Sequence, residues 1–293
     1  MLEIKIKNQM KNLRISALIL LAGTAMWSCN EDDEGTVAPP EEVIDEQIVV
    51  DEFYVEGEVT TMVDLADNEI SVNTGSTPNG RTLNTSPVSR CESFSAVFTD
   101  GVLVLDFGDG CTGVDGKERS GTVTVAYNPN NPFGDKSLTF NDFEVDGNRL
   151  NGTVRDYDVT IEFGNQEGTF AFSREYQGVV LELDDDTSFE LNADRTFTAT
   201  FEGQSLEDFN FTFKVEGSST GVNREGVSFS SEITSPITID FACIAEGNEY
   251  PSSGVIAITG NKGTFNVDFG DGTCDNTATA SVGDFTTEIN LGD

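Results

Sequence analysis

The chain has no histidine, only 16 Lys and Arg against 52 Asp and Glu, and a single Trp. The missing histidine excludes Ser-His-Asp and Cys-His catalysis and any His-ligated zinc. A formal charge of -36 leaves nothing to offset phosphate repulsion, which argues against DNA, RNA or an anionic membrane face as partner. What is present is enough apolar material for a core. Of 293 residues, 37% are hydrophobic and 21 are Phe. The length suits one large domain or two small ones.

Residues 1–28 read as an export signal. Lys5, Lys7, Lys11 and Arg14 make a basic start, and an apolar run follows from Ile15 to Trp27. The run is short for a membrane span and has small residues mixed into it. It ends at Ser28-Cys29. A small residue before a lone cysteine at this point resembles the lipobox of bacterial lipoproteins. The resemblance implies cleavage before Cys29 and a diacylglycerol on its thiol. The Asn30-Glu-Asp-Asp-Glu34 cluster that follows resembles the export signal of Bacteroidota-type surface lipoproteins. It implies an outer-membrane protein facing the medium. Cleavage would remove four basic residues and one acidic one, leaving 12 against 51, a balance of -39, and would also remove Trp27.

Residues 29–53 read as an acidic disordered tether. Positions 30–52 hold ten Asp or Glu, no Lys or Arg, and Pro39-Pro40. Self-repulsion and low hydrophobicity keep such a segment extended. From about Tyr54 the pattern turns to period two, as in Val102-Leu-Val-Leu-Asp-Phe107, Gly121-Thr-Val-Thr-Val-Ala-Tyr127 and Arg195-Thr-Phe-Thr-Ala-Thr-Phe201. Turn words separate these runs at Thr99-Asp-Gly101, Asp146-Gly-Asn148, Asp184-Asp-Asp186 and Asn261-Lys-Gly263. No segment shows a helical period. The expected fold is all-β, an antiparallel β-sandwich or barrel-like meander.

An internal repeat divides that body. Leu103 to Phe107, Cys111 and Ser120 to Val125 match Ile237 to Phe241, Cys243 and Ser253 to Ile258 at offsets of 134, 132 and 133 residues. This predicts two related halves, 54–165 and 166–293. With Cys29 assigned to lipid, four cysteines remain for disulfides in an exported protein. A hairpin turning at Asp100-Gly101 places residues whose numbers sum to about 201 opposite each other. Cys91 and Cys111 sum to 202, so they face at its open end. The repeat then pairs Cys243 with Cys274.

The most conspicuous words are Asp106-Phe-Gly-Asp-Gly110 and Asp268-Phe-Gly-Asp-Gly272. A kinase reading of Asp-Phe-Gly fails without a glycine-rich loop or a catalytic-loop histidine. The Phe-Gly-Asp-Gly turn resembles that of polycystic-kidney-disease-type domains, but their Pro-Gly turn and aromatic strand are missing. The simplest reading is structural: Gly-Asp-Gly supplies positive φ after a strand. Calcium is the one cofactor left open. Asp109, Asp115 and Glu118 cluster in the first half, and Asp271, Asp275 and Asn276 in the second, though without EF-hand spacing.

Asp-Phe-Gly-Asp-Gly-Cys111, the Asp115-Gly to Arg119-Ser-Gly121 stretch and the terminal Asp-Phe-Gly-Asp-Gly-Thr-Cys-Asp-Asn276 are similar to a family of Bacteroidota-type cell-surface lipoproteins. The resemblance implies an exported β-rich protein and carries over no activity. The expectation is a non-catalytic, lipid-anchored binding protein whose ligand is a protein or a glycan. The alternative is an accessory or structural subunit of an outer-membrane assembly. A glycan hydrolase needs only two carboxylates, and in so acidic a chain a pair is uninformative. The five remaining Tyr and the loss of Trp27 leave little for stacking sugars.

Overall fold

The structure is a computed structural model that describes residues 43–74, 91–163, 167–202, 211–240, 243 and 250–291. One helix, α1 (Glu46–Thr74), precedes fourteen strands. The first seven are β1 (Ser95–Thr99), β2 (Val102–Asp106), β3 (Cys111–Thr112), β4 (Glu118–Asn128), β5 (Asn131–Val145), β6 (Asn148–Phe163) and β7 (Glu167–Glu182). The others are β8 (Ser188–Glu202), β9 (Phe211–Val222), β10 (Ser228–Asp240), β11 (Ser253–Gly260), β12 (Gly263–Asp271), β13 (Thr277–Val282) and β14 (Phe285–Asn290).

All fourteen belong to one antiparallel sheet in sequence order, except that the short β3 pairs with β4 off the main path. The fold is therefore all-β in its strands, a meander as expected, and the sheet does not close into a barrel. Its connections are local because its turns are. Asp100-Gly101 and Asp146-Gly147 have positive φ at both central residues (45° and 82°, 51° and 87°), the twist that a two-residue hairpin needs. Asp184-Asp-Asp186 closes β7 onto β8, with Asp186 at φ 66°.

Alternation decides which side of each strand faces the core. In β8, Phe189, Leu191, Ala193, Arg195, Phe197 and Ala199 are buried, and the residues between them point outward. Buried side chains from both halves of the chain form a single hydrophobic cluster. The boundary drawn between the halves, at residues 165 and 166, falls in the connection between β6 and β7. Those two strands pair along most of their length.

The structure departs from the sequence reading at α1. Residues 46–53, assigned to the tether, are the first two turns of a 29-residue helix, and residues 54–74, assigned to the β-rich half, complete it. Residues 29–42 of that tether lie outside the described residues. The physical reason for the miss is burial on nearly every side. Ile48, Val55, Val59, Met62, Ala66 and Ile70 keep a helical spacing, but Val49 and Leu65 are buried on the flanks of that stripe. The acidic residues Asp51, Glu52 and Glu58 occupy further buried positions. No clean apolar stripe survives in such a pattern. Its many β-branched residues also mimic a strand.

The helix carries eight Asp or Glu and no Lys or Arg, so its burial needs cations from the sheet. Arg195 of β8 donates to Glu52 and, at 3.0 Å, to Glu56. Lys117, between β3 and β4, pairs with Glu58, and Lys136 of β5 pairs with Asp67. Arg119 of β4 holds Asp115 in a two-pronged contact at 2.7 and 3.2 Å, with Glu58 at 3.6 Å. Arg174 of β7 makes a buried fork onto Asp156 at 2.6 and 2.9 Å and donates to Thr60 of the helix at 3.0 Å. Farther round, Phe53 meets Phe269 of β12 edge-on at 5.4 Å. One face of the sheet thus curls around the helix.

The repeated words have repeated geometry. Asp106 Oδ1 accepts the Gly108 N–H at 2.8 Å, and Asp268 Oδ1 accepts the Gly270 N–H at 2.9 Å. Both are the same side-chain-closed turn. Ser120-Gly121 and Ser253-Gly254 are both bulges, where the strand register slips. At Gly121 (φ 80°) a Cβ would run into the Asp142 carbonyl, and at Gly254 (φ 118°) into Ile237 Cα at 2.6 Å. Only glycine lets the neighbouring strand approach that closely.

Candidate functional site

A cleft of about 610 Å³ opens along the first turns of α1. This is within the range of ligand pockets. Three parts of the chain build it. Glu46, Gln47, Val50, Asp51 and Tyr54 recur every three or four residues, so the helix presents them on one side. Asn148, Leu181, Leu183 and Arg224 come from β6, the end of β7 and the turns closing β7–β8 and β9–β10. Glu288, Ile289 and Asn290 come from β14, the last strand of the sheet.

The polar groups of the floor form two sets of hydrogen bonds, one at Asp51 and one at Tyr54. Arg224 Nε donates to Asp51 Oδ2 at 2.8 Å, and its Nη2 donates to the other carboxylate oxygen. The hydrogen bond with Asp51 raises the Arg224 pKa, against partial burial. Gln47 donates to Asp51 at 3.1 Å. The Tyr54 hydroxyl donates to the Val145 carbonyl at 3.3 Å and accepts from Asn148 Nδ2 at 3.4 Å, and burial pushes its pKa up. Arg224 is the only basic residue in the lining, and Asp51 already engages it. Glu46 and Glu288 are exposed at the rim, so the cleft is acidic overall.

A second, much smaller cavity of about 20 Å³ lies beneath the sheet between Glu52, Glu56, Arg195 and the side chains of Val215, Ile233, Ile237, Ile239 and Ile256. Burial raises the Glu52 pKa above its ordinary 4.5, opposed by the charge of Arg195.

The residues expected from sequence fall as follows. Cys91 is bonded to Cys111 and Cys243 to Cys274, with Cα–Cα distances of 5.1 and 5.2 Å. Cys29 lies outside the described residues. Asp115 is taken by Arg119, whose hydrogen bond and charge lower the Asp115 pKa despite the opposing effect of burial. Asp109 and Glu118 are exposed. Asp271 accepts from the Thr273 hydroxyl, Asp275 from Thr277, and Asn276 donates to Asn290. Asp115, Asp271, Asp275 and Asn276 therefore serve turns and neighbouring residues. Among the described residues, no group of three or more His, Cys, Asp or Glu is arranged to hold a metal ion.

Sequence reasoning missed the cleft because it missed the helix. The signal was present in Gln47, Val50, Asp51 and Tyr54, whose spacing is helical. Nothing in the sequence pointed to Arg224 or Glu288, which reach the site only through the curl of the sheet. No family model, no curated protein and no solved structure matches this chain.

Proposed function

We propose that this is a lipid-anchored outer-membrane protein, displayed at the cell surface, that binds a ligand without turning it over. The observation that carries the binding reading is the cleft between the first turns of α1 and β14. Its rim groups are solvent-facing, and two sets of hydrogen bonds, at Asp51 and at Tyr54, hold the floor in shape. The anchor and address rest on the Lys-rich leader ending in Ser28-Cys29 and on the acidic residues after it. The two disulfides support an oxidising compartment outside the cytoplasm.

Two experiments test this. Cells fed a clickable fatty acid should label the protein, and Cys29→Ala should abolish the label. An unlabelled wild-type protein would remove the anchor. Cross-linking on intact cells, followed by affinity capture, addresses the partner. A recurrent integral outer-membrane protein in stable stoichiometry would replace the binder with the accessory-subunit reading. Capture of the bait alone directs the search to soluble and polymeric ligands.

A further inference from the structure

The sheet ends at β14, and the way β14 is hung leaves a row of backbone groups facing outward beside the cleft. β13 and β14 are joined by the two-residue loop Gly283-Asp284, with Val282 opposite Phe285. In such a hairpin the residues flanking the loop exchange hydrogen bonds, and every second pair after them does the same. Phe285, Thr287 and Ile289 therefore direct N–H and C=O toward β13. Thr286 and Glu288 direct theirs off the outer edge. Among the described residues, β14 pairs with β13 alone.

We infer that this edge is a docking strip for an extended, basic peptide segment, which would add a strand beside β14 and lay its side chains into the cleft. The inference deepens the binding reading above and rests on it. Strand addition supplies hydrogen bonds without reading sequence, so the selectivity must come from the side chains that flank the edge. Here those are Glu46 and Glu288 at the rim, with Val50 and Ile289 between apolar walls. An extended segment places alternate side chains on one face about 7 Å apart. Glu288 and Ile289 lie on opposite faces of β14, so a peptide with Lys or Arg on the Glu288 face and apolar residues on the Ile289 face meets both requirements. Arg224 does not oppose this charge, because Asp51 forms a two-pronged pair with it. The other end of the sheet lacks these features: β1 carries Val97, 54% exposed, and no residue of β1 lines the cleft.

The test is selection of a displayed hexapeptide library on the full chain, followed by affinity measurement of the enriched peptides by fluorescence anisotropy. The inference expects enrichment of alternating basic peptides. The double variant Glu46→Lys/Glu288→Lys, which changes only exposed side chains, should weaken them at least tenfold. Thr286→Pro removes one outward N–H while leaving the bonds to β13, and should weaken neutral and basic peptides alike. Loss of binding with Thr286→Pro but none with the charge reversal would overturn the choice of a basic partner. Equal binding to all three proteins would overturn the strip itself. A selection that returns only acidic or non-alternating peptides, or a glycan that binds where peptides do not, would sink this inference and leave the binding reading standing.

Discussion

Two sides of the helix are buried by different means. Toward β3 to β10, the sheet meets α1 with Lys117, Arg119, Lys136, Arg174, Arg195 and Arg224, each bonded to a helix residue or to an acidic residue beside it. Toward β11 to β14 it meets the helix with apolar side chains such as Ile256, Ile258, Phe265, Val267, Phe269 and Ile289, and none of the salt bridges between described residues comes from those strands. Six of the chain's 16 basic residues are thus spent around one helix. The difference shows how an excess of acid can be buried. Among the described residues three of the four buried acidic side chains lie on the helix, and the scarce cations are concentrated where the helix turns them inward. The apolar side needs no charge and leaves a cleft at its edge.

The largest effects should come from breaking the buried contacts of either side. Arg174→Ala leaves Asp156, 5% exposed at its side chain, without its partner, and should destabilise the fold by about 3–5 kcal/mol in a denaturant titration. Phe269→Ala on the apolar side opens a cavity against Phe53 and should lose about 3–5 kcal/mol in the same assay. The defect at Arg174 should stay nearly constant with ionic strength, because the pair is buried, as should that at Phe269. Loss of Lys117, whose side chain is 41% exposed, should be smaller, because the buried Glu58 keeps Arg119 at 3.6 Å.

Next in size is the disulfide Cys243–Cys274, which joins residues 31 positions apart. Its double Ser variant should lose roughly 3–4 kcal/mol by the chain-entropy account, measured against the oxidised wild type.

The pH dependence sharpens the comparison further. Burial raises the pKa of Glu52 and Asp67 on the helix above their ordinary values of 4.5 and 3.8, despite Arg195 and Lys136 beside them. A carboxyl whose folded pKa lies above its unfolded one takes up its proton more readily in the folded state. Folding then gains stability as pH falls from neutrality through the raised values, until the unfolded chain is protonated too. Asp115, with its pKa lowered, works in the opposite sense and loses stability only below the ordinary carboxylate range. Thermal melts across this window should show Glu52→Gln with a shallower rise on acidification than the wild type. An identical slope would mean that Glu52 is not the group responsible.

The smallest effect is a gain. Gly57 is exposed in the middle of α1, and a Cβ there would meet nothing within 4 Å. Gly57→Ala should stabilise by about 1 kcal/mol through helix propensity and a less flexible unfolded chain.

The sheet was legible because its signals are local. Alternation in β2, β4 and β8 and the Asp-Gly turns each occupy a few consecutive residues. The first disulfide followed from hairpin arithmetic, and Ser95 does pair with Asp106, a sum of 201. The helix was illegible for the opposite reason. Its buried faces carry Asp51, Glu52 and Glu58, whose inward position makes sense only with Arg224, Arg195 and Lys117, up to 173 residues away. The cleft inherits the same difficulty, since Glu46 and Glu288 lie at opposite ends of the folded chain. Of the side chains named for calcium, Asp271 and Asp275 close turns and Asp115 holds Arg119.

The central claim is that residues 46–74 form a helix held inside the curled sheet. Native-state hydrogen exchange on the folded protein tests it most directly. The account predicts that the amides of the middle turns, around Val55 to Ala66, exchange only by global unfolding, as slowly as those of β7 and β8. Exchange of those helix amides orders of magnitude faster than the sheet, at a rate near that of an unfolded peptide, would contradict it.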